Sequence, residues 1–142
     1  MIRRRPDDGL RALFRKHLSQ VHWVSVETGL TESGVPDLEG CYKGVSLWLE
    51  CKATQAWAVK IRPFQIGWHL RRQRAGGRTF VAVRRRVKLL NELWLYEGGV
   101  IIELSKQGLR LPPIARFDGG PARWDWDRVL FLLVNCERPD QI

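Results

Sequence analysis

An α/β fold in a single domain, with a mixed β-sheet flanked by helices, is what this sequence predicts, on three observations. First, 142 residues with 44% apolar composition suffice for one domain with a real core and not for two comfortable ones, so residues 1–142 are taken as one unit. Second, apolar residues recur at helical spacing in some stretches and in short β-branched or aromatic runs in others. Third, Gly and Pro punctuate the chain between those stretches, with no repeat and no low-complexity tract.

Each element follows from its own pattern. Residues 7–19 place Leu10, Leu13, Phe14 and Leu18 at helical spacing, with Arg11, Arg15 and Lys16 elsewhere on the cylinder. Residues 22–27, 37–42 and 45–53 read as strands, the last two flanking Lys43-Gly44. Pro63 stands where a helix tolerates it, and Ala75-Gly76-Gly77 where a helix ends, which gives a second helix over about 63–75. Residues 78–84 alternate into another strand. Residues 92–96 and 100–104 predict a hairpin across Glu97-Gly98-Gly99, and residues 124–134 a last helix. The order is therefore αβββαβ over a core of about residues 7–97, then a C-terminal hairpin and helix in an addition of about 98–142.

Composition narrows the function classes. Lys plus Arg number 24 against 15 Asp plus Glu, a net charge of +9, which favours an acidic partner such as nucleic acid. Cys41, Cys51 and Cys136 form no CxxC pair, lack His at zinc spacing and are odd in number, which fits a reducing compartment better than a disulfide framework. No apolar segment follows the basic N-terminus and no run approaches a membrane span, so a soluble, cytoplasmic protein is expected. The seven Trp are expected mostly in the core.

The segment Gly34-Val35-Pro36-Asp37 followed by Glu50-Cys51-Lys52 carries the chemistry. Pro36 biases Val35 toward extended backbone and fixes its own φ, delivering Asp37 at the head of a strand. If Lys43-Gly44 is a two-residue turn, Tyr42 pairs with Val45 and Asp37 falls opposite Glu50, with β-carbons about 4.5–5.5 Å apart. Lys52 returns to the face of Glu50 about 6.6 Å further along the strand. Cys51 points to the opposite, packing face while its carbonyl stays available to a metal. Two like charges facing each other across a hairpin need a compensating cation, supplied in part by Lys52 and better by a metal.

Through Pro36-Asp37 and Glu50-Cys51-Lys52 the sequence resembles the PD-(D/E)XK nuclease superfamily. It is similar in particular to the VRR-Nuc and Holliday-junction-resolvase-like group, including small phage-type endonucleases. The further residues are Ser33 and Gly34 before the motif, Gln65 and Trp68 on the second helix, and Ala75-Gly76-Gly77 before the next strand. The resemblance implies a restriction-endonuclease-like core with Asp37 and Glu50 as metal ligands. It further implies Lys52 as the residue orienting or activating water, and Gln65 as a helper near the scissile phosphate. The family's acid on the first helix is usually Glu. Here Asp7 is the best placed candidate at 100° per residue, since Asp8 points away from the side of Leu10 and Phe14. Its alternative role is a first-turn acid favouring the helix dipole. Glu27 and Glu32 are fallback acids.

These residues lead to an expectation of a Mg²⁺- or Mn²⁺-dependent endonuclease hydrolysing DNA phosphodiesters, in host cytoplasm if phage-encoded. Structure-specific cutting of branched DNA, such as a Holliday junction, is one option. Nicking, restriction-like or single-strand-specific cutting are the others. A resolvase would work as a two-fold homodimer. The alternative from another class is a non-catalytic basic nucleic-acid-binding module. Candidate phosphate contacts are Arg62, Arg71, Arg72, Arg74 and Arg78, with Arg84, Arg85, Arg86 and Lys88 as a second basic cluster. For His69, ordinary packing is the preferred reading.

Overall fold

The computed structural model describes residues 6–26 and 34–135. The basic stretch 1–5, the fallback acids Glu27 and Glu32, Ser33 and Cys136 lie outside the described residues. Helix α1 (Leu10–His17) is followed by strands β1 (His22–Ser25), β2 (Leu38–Tyr42) and β3 (Val45–Thr54), helix α2 (Pro63–Arg74) and strand β4 (Thr79–Val87). That is the expected αβββαβ order. Strand β5 (Leu90–Glu97), helix α3 (Ile101–Gln107), strand β6 (Ala115–Phe117) and helix α4 (Trp126–Asn135) complete the chain. The six strands form one sheet in sequence order, antiparallel throughout except where β3 pairs β4 in parallel across α2. The fold is α/β with a mixed sheet flanked by helices, as the sequence predicts; among the described residues there are four α-helices, one more than the sequence reading contains.

Alternation along β3 splits the core between two faces. Leu47, Leu49 and Cys51 pack with Leu10 and Phe14 of α1 and Val129 and Leu133 of α4. On the other face Val81, Val83 and Tyr96 pack with Ile66 and Leu70 of α2 and with Ile101 and Leu104 of α3. Glu50 and Lys52 of β3 share that second face, beside α2.

Two boundaries depart from the sequence reading. Helix α1 begins at Leu10 rather than residue 7 because Asp8 and Gly9 take positive φ of 51° and 77°, which a right-handed helix does not admit. The predicted strand at 100–104 is instead a 3-10 turn, Gly98–Val100, running into α3. Ile101 and Leu104 are buried while Ile102 is exposed, a spacing of three that suits a helix and not a strand. Strand β5 finds its hairpin partner in β4 through the Lys88-Leu89 turn, with Val87 opposite Leu90. Its other neighbour, β6, is a strand that the sequence reading does not contain.

The sheet end beneath α2 is closed by a small polar cluster. Gln73 Nε2 donates to Thr79 Oγ1 at 3.1 Å, and Thr79 Oγ1 lies 3.0 Å from Nδ1 of the fully buried His69. Gly98 makes room for this contact, since a β-carbon there would sit 1.8 Å from Thr79 Oγ1 and 2.8 Å from His69 Nδ1. Gly98→Ala is therefore expected to cost about 1–3 kcal/mol or more by overpacking, read as a lowered melting temperature. An unchanged melting curve would show that the cluster relaxes at no cost.

Candidate functional site

Lys43 and Gly44, at φ 47° and 81°, form a turn with both central residues left-handed, the kind that suits the twist of a tight hairpin. It fixes the register: Tyr42 faces Val45, and the pairing runs without slip to Leu38 opposite Leu49. One step further, Asp37 comes level with Glu50. Strand β2 begins only at Leu38 whereas β3 runs on to Thr54, so among the described residues no strand lies beside the last residues of β3 on that edge. Asp37 fills the gap, its Oδ2 accepting from Cys51 N at 2.9 Å. A strand residue presents its N–H and C=O to the same side, so the Cys51 carbonyl is directed toward Asp37 as well. The Cys51 thiol is buried in the opposite core, as expected, and burial pushes it well above the usual thiol range.

Helix α2 supplies the other wall. Arg62 is extended at φ −83° and ψ 150°, Pro63 opens the helix, and Gln65 turns back so that its Oε1 accepts from Arg62 N at 2.9 Å. The same oxygen accepts from Lys52 Nζ at 2.8 Å, and Gln65 Nε2 donates to Glu50 Oε1 at 2.6 Å. Gln65 thus clamps the lysine and the glutamate of β3 to one another. Lys52 Nζ and Glu50 Oε1 are 3.5 Å apart, a charge pair without a direct hydrogen bond of good geometry.

Burial dominates the electrostatics. Glu50 is only 3% exposed, and its carboxyl is pushed up to about 8, first by burial and then by the Asp37 charge, against the opposing pull of Lys52. Asp37 is raised in the same direction, chiefly by burial, with the Cys51 N–H and the Arg11 charge opposing. Glu50 Oε2 is buried and has no hydrogen-bond partner. Among the described residues no three His, Cys, Asp or Glu side chains form a complete cation cage. A cation here would take its protein ligands from the two carboxylates and the Cys51 carbonyl, with water filling the remainder. An orphaned carboxylate oxygen beside a second raised carboxylate fits a divalent ion, which would satisfy the one and neutralise the other.

The site lies at the floor of a cleft of about 540 Å³ whose walls include Asp7, Arg11, Lys60 and Arg62. Asp7 is therefore near the carboxylates, but both of its oxygens are engaged, Oδ1 by Gly9 N at 3.0 Å and Oδ2 by Arg11 N at 2.9 Å. Its evident work is to order the start of α1. Arg62 borders the site. Arg71, Arg72 and Arg74 belong to the far end of α2, roughly 14–18 Å along the axis from Arg62, and do not line the cleft. Arg72 lies over Trp48 and Trp68 at 5.3 and 4.8 Å, while Arg78 reaches the Leu133 carbonyl.

The three arginines of the second basic cluster are engaged within the fold, whereas Lys88 is exposed at the β4–β5 turn. Arg84 Nη1 donates to the Asp8 carbonyl, Arg86 pairs with the Asp8 carboxylate at 2.8 Å, and Arg85 pairs with the buried Glu92 at 3.2 Å. Of the tryptophans, Trp57 is the one most exposed, at 46%. Arg11 and Lys60 are cleft residues that the sequence reading misses. Arg11 sits on the polar side of an amphipathic pattern and Lys60 in an unstructured stretch, so neither carries a signal of its own.

Compared with known families and curated proteins, the chain matches no family model and no curated sequence.

Proposed function

We propose that this protein is a metal-dependent endonuclease that hydrolyses DNA phosphodiester bonds. The observation that carries the reading is the Lys52–Gln65–Glu50 clamp set against Asp37, with a buried Glu50 oxygen left without a partner. A fold gains nothing from burying that oxygen unpaired, so its use lies in what it binds. The similarity to PD-(D/E)XK nucleases of the VRR-Nuc and Holliday-junction-resolvase-like group, through Pro36-Asp37 and Glu50-Cys51-Lys52, supports the same reading.

Asp37, Glu50 and the Cys51 carbonyl would hold Mg²⁺ or Mn²⁺, which when bound would supply charge neutralisation and a lowered pKa for water. The chain's own groups do the positioning. Lys52, fixed by Gln65, orients the attacking water and sets positive charge where the phosphorane becomes negative. The water oxygen bonds to phosphorus as the bond to the 3′ oxygen breaks, leaving a 5′-phosphate and a 3′-hydroxyl. Arg11, Lys60 and Arg62 line the approach and attract the phosphate backbone, which makes binding salt-dependent. Among the described residues no helix is long and apolar enough to cross a membrane. On this reading the enzyme works in the cytoplasm, and a branched-DNA specificity would bring two such sites together in a homodimer.

Supercoiled plasmid, a four-way junction and single strands, each incubated with Mg²⁺ or Mn²⁺, provide the test. Cleavage by the wild type is expected, along with its loss in Asp37→Ala and Lys52→Ala while DNA binding persists. Cutting retained by either purified variant refutes the assignment. Binding that survives chelation with no cleavage under any metal points instead to a basic nucleic-acid-binding module.

A further inference from the structure

Phe64 is an aromatic side chain that the fold does not use. It is 66% exposed and belongs to neither core, yet it stands directly beside Gln65 at the start of α2. With Val35 and Arg62 it lines a second cleft, of about 360 Å³, which shares Asp37, Glu50, Arg62 and Gln65 with the first and is not lined by Asp7 or Arg11. Its backbone is held firmly. Pro63 precedes it, and Gly34, at φ 87°, packs so closely that a β-carbon there would lie 2.2 Å from the Phe64 carbonyl oxygen. The ring is thus presented from a fixed helix start rather than from a free loop.

The carboxylates therefore line two adjoining clefts of different character. One is walled by Arg11, Lys60 and Arg62 and suits phosphates. The other offers an aromatic ring and an aliphatic side chain with Arg62 at the rim, which suits the flat face of a base. Its size lies in the range of roughly 300–1,000 Å³ typical of clefts that take small organic groups. Bases inside an intact duplex are paired and stacked, so none presents a free face to such a ring.

We propose that Phe64 stacks on an unpaired nucleobase next to the scissile phosphate, so that the preferred substrate is single-stranded or locally unpaired DNA. This deepens the nuclease reading and rests on it for the identity of the ligand. The strand crosses the carboxylate pair with phosphates toward Arg11 and Lys60 and one base laid against Phe64 and Val35. Phe64 acts as a specificity-determining residue and takes no part in bond making.

The test titrates the full-length chain, without divalent metal, with a single-stranded oligonucleotide carrying one 2-aminopurine and with the matching duplex. Stacking on the ring quenches the fluorescent base. Phe64→Ala is expected to weaken single-strand binding roughly 5- to 150-fold, the worth of one base–aromatic stack, and to abolish the quenching, leaving duplex binding unchanged. Phe64→Trp restores both. Because the ring is exposed, the Ala variant should melt with the wild type, which separates lost stacking from lost folding. Equal single-strand affinity and quenching in the wild type and Phe64→Ala overturn the stacking role, as does an equal loss on single strand and duplex. Should the wild type instead neither bind nor cut any DNA, the nuclease reading itself falls, an outcome distinct from a wild type that cuts and is indifferent to Phe64.

Discussion

Glu50→Gln is expected to lower cleavage by about 10³-fold or more while raising the melting temperature of the metal-free protein at pH 8. The first effect follows from removing one of two carboxylates that would hold the cation, comparable to or larger than losing one fixed transition-state contact. The second follows from burial. Folded Glu50 has its carboxyl pushed up to about 8 against a reference of 4.5. Below pH 4.5 folded and unfolded chains both carry the proton, and the burial costs nothing. As pH rises through 8 the unfolded chain has already ionised while the folded chain resists, so stability is lost across that window. Glutamine removes the titration and keeps an oxygen to accept the bond from Gln65 Nε2.

Loss of the Lys52 charge pair works the other way. At 3.5 Å the pair is weak, and burial together with the Asp37 charge outweighs it. The gain in melting temperature should therefore be near zero at pH 4.5 and grow toward pH 8. Added Mg²⁺ should then raise the wild type and not the variant. A variant that cuts at the wild-type rate, or that melts below the wild type at pH 8, contradicts this account.

Much of this site is legible in the sequence because it depends on local rules. A Lys-Gly turn sets a register with period two, and period two decides which side chains share a face. Asp37, Glu50 and Lys52 are therefore placed by counting from the turn. Gln65 enters as a site residue only through the resemblance to the nuclease superfamily; Pro63 marks the helix start on which it stands. The parts that escape are those decided by distant contacts. Asp7 leaves the helix because Asp8 and Gly9 adopt left-handed backbone, while the Asp8 carboxylate and carbonyl serve Arg86 and Arg84, which stand more than seventy residues away. A run of arginines in sequence likewise says nothing about Glu92, which the fold buries beneath Arg85 and Arg116. The apolar run 100–104 is too short for its period to be judged without knowing which side faces the core.

Acidification should destabilise the protein through His69, on the order of 3 kcal/mol between pH 6.5 and 4. The imidazole is lowered from 6.5 to about 4, first by burial and then by the Lys52 charge. Hydrogen bonding explains why the ring resists a second proton. Thr79 Oγ1 accepts from Gln73 Nε2 and lies 3.0 Å from His69 Nδ1, which engages one ring nitrogen. The other, Nε2, is buried without a partner, and in the doubly protonated ring its hydrogen would find no acceptor. Above pH 6.5 folded and unfolded chains are both neutral at this residue, so its full contribution is present. As pH falls toward 4 the unfolded chain gains the proton and the folded chain does not, and the contribution is lost. His69→Asn keeps an acceptor near Nδ1 and cannot titrate, so its denaturant midpoint, though lower at neutral pH, should lack this slope; parallel profiles for variant and wild type would remove His69 from the acid limb. Glu50 acts with the opposite sign across an overlapping window and the raised Asp37 adds to it, so below pH 6.5 the two trends oppose one another, and above it the metal-free protein falls away. A cation bound by Asp37 and Glu50 would hold both ionised and cancel the alkaline fall alone, since His69 does not line the cleft and contributes no ligand.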